Sequence, residues 1–224
     1  MNLFSFTLLA LFAIAQNLDN FVLAGAYRFK NVLIPKQPNL LIAILSGVAT
    51  VLAAGVGWAF GEKAVQQGHW EVTEVMGRGL LIMLGVWALV GYFRTKLFPQ
   101  LRARKAMVAT VGAATSQAEL PAVITSSEAM VAATALAIDN LAPSFAFGVR
   151  HPGYSFSSVL VLGALTAVVS VFLVALGQST GRTGRSRFHH PPIEFVSPEL
   201  VSGLLIIAIG LFDPGDLAHG LIER

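Results

Sequence analysis

Long apolar segments alternate with short polar ones along almost the whole chain. Six segments are apolar and long enough to be read as bilayer-crossing helices, which need about 20 residues. They cover approximately residues 3–26, 39–61, 77–95, 128–149, 157–178 and 198–213. The sixth is short and ends against Asp213-Pro214. The pattern therefore predicts an all-α integral membrane protein with six transmembrane helices.

The first apolar segment also has features of a signal peptide, because Ala13-Ile14-Ala15 has the small-residue spacing of a cleavage site. No basic residue precedes the apolar run, however, and the run resumes after Asp19 and continues to about Ala26. We therefore expect this segment to be retained as the first transmembrane helix.

The composition supports a membrane protein. Of the 224 residues, 55% are hydrophobic and 12% are charged, whereas a soluble domain carries about 25% charged residues. The net charge is +3, but the basic residues lie in short connections between apolar segments, so we expect the lipid bilayer as partner and not nucleic acid. The chain has no cysteine, which excludes thiolate metal sites and a cysteine nucleophile. It shows no nucleotide-binding motif, and we expect neither an enzyme nor a permanently bound cofactor.

Lysine and arginine concentrate in the first, third and fifth connections between the predicted spans. These residues are Arg28, Lys30, Lys36, Arg94, Lys96, Arg102, Arg104, Lys105, Arg182, Arg185 and Arg187. Cytoplasmic loops of membrane proteins carry such an excess of positive charge. The bias predicts a multi-pass protein of the cell membrane, with loops 1, 3 and 5 in the cytoplasm and both termini outside.

The two halves of the chain resemble each other. Asp19-Asn20 and Asp139-Asn140 are 120 positions apart, and the same offset pairs Thr50 with Ser170. It also pairs the GxxxG glycines of the second span with those of the fifth, which we interpret as helix-packing residues. These four glycines are Gly57, Gly61, Gly177 and Gly181. At an offset of 124, residues 79–82 match residues 203–206.

A repeat of three helices crosses the membrane an odd number of times, so its second copy enters from the opposite side. We therefore predict two inverted three-helix repeats, in residues 1–95 and 128–224, joined by a basic cytoplasmic linker at 96–127. Part of that linker, around residues 101–114, is an alternative candidate for an interfacial helix. The simpler interpretation is a flexible linker.

Two acidic residues, Asp19 and Asp139, lie well inside the predicted spans. An aspartate at the centre of a transmembrane helix costs about 2.5–3.5 kcal/mol to insert, so it usually has a function. Carboxylate, amide and hydroxyl oxygens suit a hard or borderline divalent cation such as Mn²⁺, Mg²⁺ or Ca²⁺. The predicted metal site consists of Asp19, Asp139, Asn20, Asn140, Asn17, Thr50 and Ser170.

Two other roles for the aspartates stay open. Each carboxylate could hold neighbouring helices together through a hydroxyl or a backbone group. One of the pair could also carry a proton. Pro143 follows Asp139-Asn140 closely and would free backbone carbonyl groups in the fourth span as further ligands.

The sequence resembles the MntP-type manganese efflux pumps, and especially their YtaF-like branch, over nearly the whole chain. The resemblance rests on Leu18-Asp19-Asn20-Phe21, Ala137-Ile138-Asp139-Asn140, Tyr27-Arg28-Phe29-Lys30 through Ile34-Pro35, Val56-Gly57-Trp58 and Glu128-Ala129. Where the family usually has serine or threonine two residues before each aspartate, this chain has Asn17 and Ala137. Thr50 stands where some members have an acidic residue. The resemblance implies a six-helix fold of the lysine-exporter superfamily and export of Mn²⁺.

These observations favour a secondary transporter that exports a divalent cation, with Mn²⁺ as the best candidate and protons as the counter-ion. Alternating access around the aspartates would carry the ion. One alternative is the export of a small cationic organic solute, which a pocket around Phe21, Phe145 and Phe147 would favour. Another is a non-transport factor in membrane assembly or sporulation. The pattern also allows a homo-oligomer.

Overall fold

The computed structural model describes residues 3–29, 31–97, 122–151, 154–187 and 198–211. Seven helices and two short strands make up these ranges. The helices are α1 (Leu3–Gln16), α2 (Leu18–Phe29), α3 (Lys36–Gln66), α4 (Trp70–Leu97), α5 (Ser126–Arg150), α6 (Phe156–Arg187) and α7 (Pro198–Leu211). The strands are β1 (Val32–Leu33) and β2 (Ala122–Val123). Most of the predicted linker, including the candidate interfacial helix at 101–114, lies outside the described residues.

Five helical regions are long and apolar enough to cross a bilayer, namely Ser5–Phe29, Lys36–Gln66, Trp70–Gly91, Ser127–Arg150 and Phe156–Arg182. They coincide with the first five predicted spans, so the prediction of a multi-pass helical membrane protein is confirmed. The sixth predicted span appears as the shorter apolar helix Leu200–Leu211. At 1.5 Å per residue, the 14 residues of α7 extend about 21 Å, less than the roughly 30 Å of a hydrocarbon core.

The first predicted span is interrupted at Asn17. The backbone N–H of Asn17 donates to Ile14 O at 3.1 Å, and that of Asn20 donates to Asn17 O at 3.1 Å. Both bonds connect residues three apart, which is tighter than the α-helical spacing of four. The Asn17 amide also donates to Ala13 O at 2.7 Å. An asparagine side chain that bonds to the nearby backbone competes with the helix in this way. The interruption ends α1 and places Asp19 in the first turn of α2.

The helices pack in four main pairings. Helix α3 lies against α5 and α6, α2 lies against α6, and α4 lies against α7. Glycine makes the closest approaches, since the position of a Cβ atom on Gly57 is occupied by the carbonyl group of Phe145. The equivalent space at Gly177 is occupied by the carbonyl group of Phe21. The assignment of these glycines to helix packing is therefore confirmed at both positions.

A two-residue parallel ladder joins the connection before α3 to the connection before α5. Val32 pairs with Ala122 and Leu33 with Val123, and Ile124 N–H donates to Leu33 O at 3.0 Å. The sequence analysis predicted helices alone, because two residues are too few to show a strand period. An apolar cluster of Ala24, Ile34, Ile124, Ala129 and Val174 packs beside the ladder.

Helix α5 begins with a capping box directly after β2. The backbone N–H of Glu128 donates to Thr125 Oγ1 at 3.3 Å, and Thr125 N–H donates back to Glu128 Oε2 at 2.9 Å. Reciprocal capping of this kind satisfies two of the N–H groups that a helix start leaves without partners. It fixes where α5 starts and therefore the depth at which its polar residues lie.

The close approach at Gly57 gives a stability prediction. We expect Gly57→Ala to destabilise the protein by about 1–3 kcal/mol, because the added methyl group overlaps the Phe145 carbonyl group. Reversible unfolding in mixed detergent and SDS micelles measures this change. Gly79→Ala is the matched control, since nothing lies within 4 Å of its Cβ position, and it should be neutral or slightly stabilising. Equal stability of the two variants would contradict the packing described above.

Candidate functional site

Four neutral polar side chains meet in the middle of the bundle and form what we term the glutamine cluster. The Gln16 amide donates to Thr166 Oγ1 at 2.7 Å and to Thr50 Oγ1 at 3.3 Å. The Ser144 hydroxyl donates to Gln16 Oε1 at 3.0 Å and lies 3.5 Å from Thr50 Oγ1. All four residues are buried. The cluster connects α1, α3, α5 and α6 through one side chain.

A second group, the asparagine cluster, lies directly after the interruption of the first span. The Asn20 amide donates to Asn17 Oδ1 and to Ser170 Oγ, each at 2.8 Å. All three residues are fully buried, with 0% of their surface exposed. The third side-chain oxygen atom of the group, Asn20 Oδ1, has no hydrogen-bond partner among the described residues. A buried carbonyl oxygen without a partner is unusual and costly in a native interior.

The two aspartates lie beside these clusters. Asp19 is half-buried, and its Oδ1 accepts the backbone N–H of Asn20 at 2.8 Å. Asp139 lies on a face of α5 that is exposed in the single chain. Asn140, the next residue along α5, is buried with 2% exposure. The structure thus places the amides inside the bundle and the carboxylates at its margin.

The two carboxylates nevertheless lie at similar depths. Helices α1 and α2 run in the direction opposite to α5, as two contacts indicate. Ser144 bonds to Gln16 on one side of the aspartates, and on the other side Leu23 packs against the cluster of Ile42, Ala133 and Leu136. Because each helix rises 1.5 Å per residue, the segments between these contacts must lie level with each other. Both aspartates are in those segments.

Of the predicted metal ligands, Asn17, Asn20 and Ser170 are brought together. Thr50 belongs instead to the glutamine cluster. The sequence analysis missed Gln16, Ser144 and Thr166, and also Ser46, whose buried hydroxyl has no partner among the described residues.

A signal for the missed residues is present in the sequence. Each of four helical segments carries two polar residues four positions apart, which places them on one face of a helix. The pairs are Gln16/Asn20, Ser46/Thr50, Asn140/Ser144 and Thr166/Ser170. A search for this spacing within the apolar segments would have found all eight.

Side chains bond to the backbone at the two ends of the bundle. At one end, Trp58 Nε1 donates to Tyr154 O at 2.6 Å, a contact that we term the indole lock. At the other end, the amide of Gln178 donates to Ile34 O at 3.0 Å and accepts Ile34 N–H at 3.2 Å, which we term the amide lock. Each lock ties a long helix to a connection in the other half of the chain.

An aromatic cluster lies beside the indole lock. The ring of Phe147 is 4.5 Å from that of Phe12 and 4.3 Å from that of His151, on which it stacks. The backbone carbonyl groups of Phe21 and Phe145 lie against Gly177 and Gly57, at two other helix contacts.

The chemistry of the site is that of neutral oxygen atoms with two carboxylates at the margin. Among the described residues, no group of three or more histidine, cysteine, aspartate or glutamate side chains is placed to hold a metal ion. Any cation at this depth would depend on Asp19 and Asp139 for negative charge and on amide and hydroxyl oxygens for the other contacts.

This chain is similar to the probable sporulation protein YtaF of Bacillus subtilis (strain 168), with 27% identity over 222 residues. The alignment covers 90% of this chain and 96% of that protein. Neither a family model nor a solved structure matches the chain. The similarity is consistent with the YtaF-like motifs around the two aspartates. It covers nearly the full length of both proteins.

The glutamine cluster gives a second stability prediction. We expect Gln16→Leu to destabilise the protein by about 1–3 kcal/mol, because three buried hydroxyl groups lose a partner. The same unfolding equilibrium in mixed micelles measures the change. Gln66→Leu, at an exposed position near the end of α3, is the matched control and should stay within about 0.5 kcal/mol of the wild type. If both variants unfold alike, the cluster does not hold the four helices together.

Proposed function

We propose that this protein is a secondary transporter that exports a divalent metal cation, with Mn²⁺ as the substrate, in exchange for protons. One observation carries the proposal: the first span is interrupted at the depth of a buried polar cluster, with two aspartates level with each other beside it. Interrupted helices near the midplane are where secondary transporters bind their ions. Asp19 and Asp139 supply the charge, and Asn17, Asn20, Asn140, Thr50 and Ser170 line the route of the ion.

Contacts that recur in the two halves support an inverted repeat. Gly57 against Phe145 corresponds to Gly177 against Phe21. The glycines are 120 positions apart and the phenylalanines 124, so the two offsets apply to different helices. If the offset of 124 that relates Phe21 to Phe145 also applies to Asp19, the position equivalent to Asp19 is Pro143, one helical turn beyond Asp139. The four-residue shift keeps Asp139 on the corresponding face of its helix.

The two locks support alternating access. Trp58 and Gln178 are 120 positions apart, and so are their partners Tyr154 and Ile34. The locks therefore correspond to each other but lie at opposite ends of the bundle. When one half rocks against the other, the lock at the opening end must break while the other lock stays closed. Two such closures are what a site that opens to one side at a time requires.

The energetics indicate the need for a counter-ion. Moving two positive charges outward against a negative-inside potential costs about 4.6 kcal/mol per 100 mV, at about 2.3 kcal/mol per charge. Inward movement of protons offsets this cost. In the proposed cycle, Asp19 and Asp139 take up protons as the metal leaves and release them to the cytoplasm. When the transporter changes back to its inward-open state without metal, neutral, protonated carboxyl groups are also less costly to keep buried than charged ones.

A second candidate is a membrane factor in sporulation that transports nothing. The name of the Bacillus subtilis relative favours it. In that case the aspartates serve only to hold helices together or to bind a partner. Export of a small cationic organic solute is the other alternative, and binding of such a solute without metal would favour it.

Replacing both carboxylates by amides tests the transport mechanism. In a manganese-sensitive host, wild-type protein should lower the manganese content of the cells, and the double variant Asp19→Asn, Asp139→Asn should leave it at the level of the empty vector. Asparagine keeps the size of aspartate and one of its acceptor oxygen atoms, but it removes the charge and replaces the other oxygen by an NH₂ donor. Elemental analysis of washed cells, at matched amounts of protein in the membrane, provides the measurement.

Glu71→Gln is the matched control, since Glu71 lies on an exposed turn at the start of α4, and it should export manganese normally. Full export by the aspartate double variant would rule out the carboxylates as the ion site. Unchanged manganese in cells with wild-type protein, together with impaired sporulation of a spore-forming host on deletion of its own copy, would favour the second candidate.

The proposed orientation has its own test, which benefits from the lack of cysteine in the chain. We expect Gln67→Cys, in the connection between α3 and α4, to react with a membrane-impermeant maleimide in intact cells. Lys36→Cys, at the start of α3, should react only after the cells are permeabilised. Both positions are exposed, so any difference in their labelling reports the side of the membrane on which each lies. The reverse pattern would place loops 1, 3 and 5 and both termini on the opposite sides from those proposed.

A further inference from the structure

Two oxygen atoms in the centre of the bundle have no hydrogen-bond partner among the described residues. They are Asn20 Oδ1 and Ser46 Oγ. Both residues are fully buried, with 0% exposure. Each atom can donate a lone pair, and each belongs to one of the four pairs of polar residues that face the middle of the bundle.

Contacts on either side indicate that these two atoms lie at the same level of the bundle. Gln16 bonds to Thr50 one helical turn to one side, and Leu23 packs against the cluster of Ile42, Ala133 and Leu136 about one turn to the other. The two segments run in opposite directions, so Asn20 and Ser46 fall between these contacts on both helices. Ser170 joins them, because its Oγ accepts the amide N–H of Asn20 at 2.8 Å.

Asn140 is the fourth residue of the group. Ser144, one turn further along α5, bonds to Gln16, and Leu136, one turn earlier, belongs to the cluster against which Leu23 packs. Asn140 lies between these two contacts, as Asn20 lies between Gln16 and Leu23, and it is buried. The result is a group of one carbonyl oxygen with no partner, two hydroxyl groups and a second amide, contributed by α2, α3, α5 and α6.

The neighbouring glutamine cluster has the same construction but is closed. There the side chain of Gln16 satisfies Thr50, Thr166 and Ser144 together. At the 124-position offset, the counterpart of Gln16 is Asn140, whose side chain is one methylene group shorter. The shorter amide leaves oxygen atoms without partners in the group around Asn20. In the glutamine cluster, the longer side chain of Gln16 reaches all three hydroxyl groups.

We propose that Asn20, Ser46, Asn140 and Ser170 form a binding site for a monovalent alkali cation, Na⁺ foremost, separate from the divalent cation between the aspartates. All four are neutral, and neutral oxygen atoms alone compensate a single charge far better than a double one, because the cost of burying an ion rises with the square of its charge.

The sodium site would influence the proposed transport site directly. Asp19 Oδ1 accepts the backbone N–H of Asn20, so a cation on the Asn20 side chain acts on the adjacent carboxylate. We therefore expect Mn²⁺ export to depend on Na⁺. Binding itself does not depend on transport and can be measured in purified protein.

The test is the thermal unfolding midpoint of the purified full-length protein in nanodiscs, with NaCl exchanged for choline chloride at constant ionic strength. Wild-type protein should gain a saturable increase in midpoint with Na⁺ and a smaller one with K⁺. Ser46→Ala should be at least as stable as the wild type in choline, because the lost hydroxyl makes no hydrogen bond. Its half-saturating Na⁺ concentration should rise at least tenfold.

Ser144→Ala is the matched control, since it removes a buried hydroxyl of the closed cluster. It should melt lower in choline and respond to Na⁺ like the wild type. A wild-type midpoint that does not distinguish Na⁺ from choline would overturn the proposal and leave water as the partner of Asn20 Oδ1. So would a Ser46→Ala variant that keeps the wild-type response, or one that is destabilised in choline, because Ser46 would then have another role.

Failure of the sodium site and failure of the transport function are distinguishable. A sodium response in protein that does not lower cell manganese would refute the metal exporter alone. Manganese export by protein whose stability ignores Na⁺ would refute the sodium site alone.

Discussion

Every hydrogen-bonding group in the middle of a bilayer must find its partner inside the protein, since lipid offers none. In this chain the constraint acts on eight polar residues spaced in four pairs along apolar helices. Their side chains can be satisfied only by each other, so four helical segments must face one centre. Gln16 shows the principle most clearly, because one amide connects α1 with α3, α5 and α6. The same demand explains the interruption of the first span, where Asn17 gives up regular helix to bond to Ala13 O and to the Asn20 amide.

Small residues make this convergence possible. Polar side chains as short as serine and threonine reach each other only when the backbones approach closely, and the glycines of α3 and α6 permit that approach. Gly57 and Gly177 each meet a carbonyl group directly. Packing and polar bonding thus depend on each other: a methyl group at Gly57 would separate α3 from α5 and with them Thr50 from Ser144. Large apolar side chains such as Leu52, Val56 and Phe60 remain on the outer face of α3, where lipid covers them.

The sequence predicts the helices and the chemistry better than it predicts the contacts. Long apolar runs specify transmembrane helices because only a helix satisfies its own backbone in lipid, and the buried Asn17, Asn20 and Ser170 were found as polar residues in such runs. The interruption at Asn17 was not predicted, because it depends on a side-chain bond that competes with one turn of helix. The exposed position of Asp139 was not predicted either, since it is set by how α5 turns towards α3. The offset of 120 aligned the aspartates in sequence, but Phe21 and Phe145 make matching contacts at an offset of 124.

Some of the differences between the two proposed halves fall at positions that face the centre and the ends. Thr50 and Ser170, or Ser46 and Thr166, are near equivalents, whereas Gln16 is matched by the shorter Asn140 and Trp58 by Gln178. A perfectly symmetric protein would have two equal clusters and two equal locks, and neither face of the membrane would differ from the other. Shortening one amide by a methylene group leaves oxygen atoms without partners on one side only, and replacing an indole by an amide changes one closure from a single hydrogen bond to a pair. In the proposed inverted repeat, these substitutions make the two clusters and the two closures unequal, so that the two faces of the membrane are not equivalent.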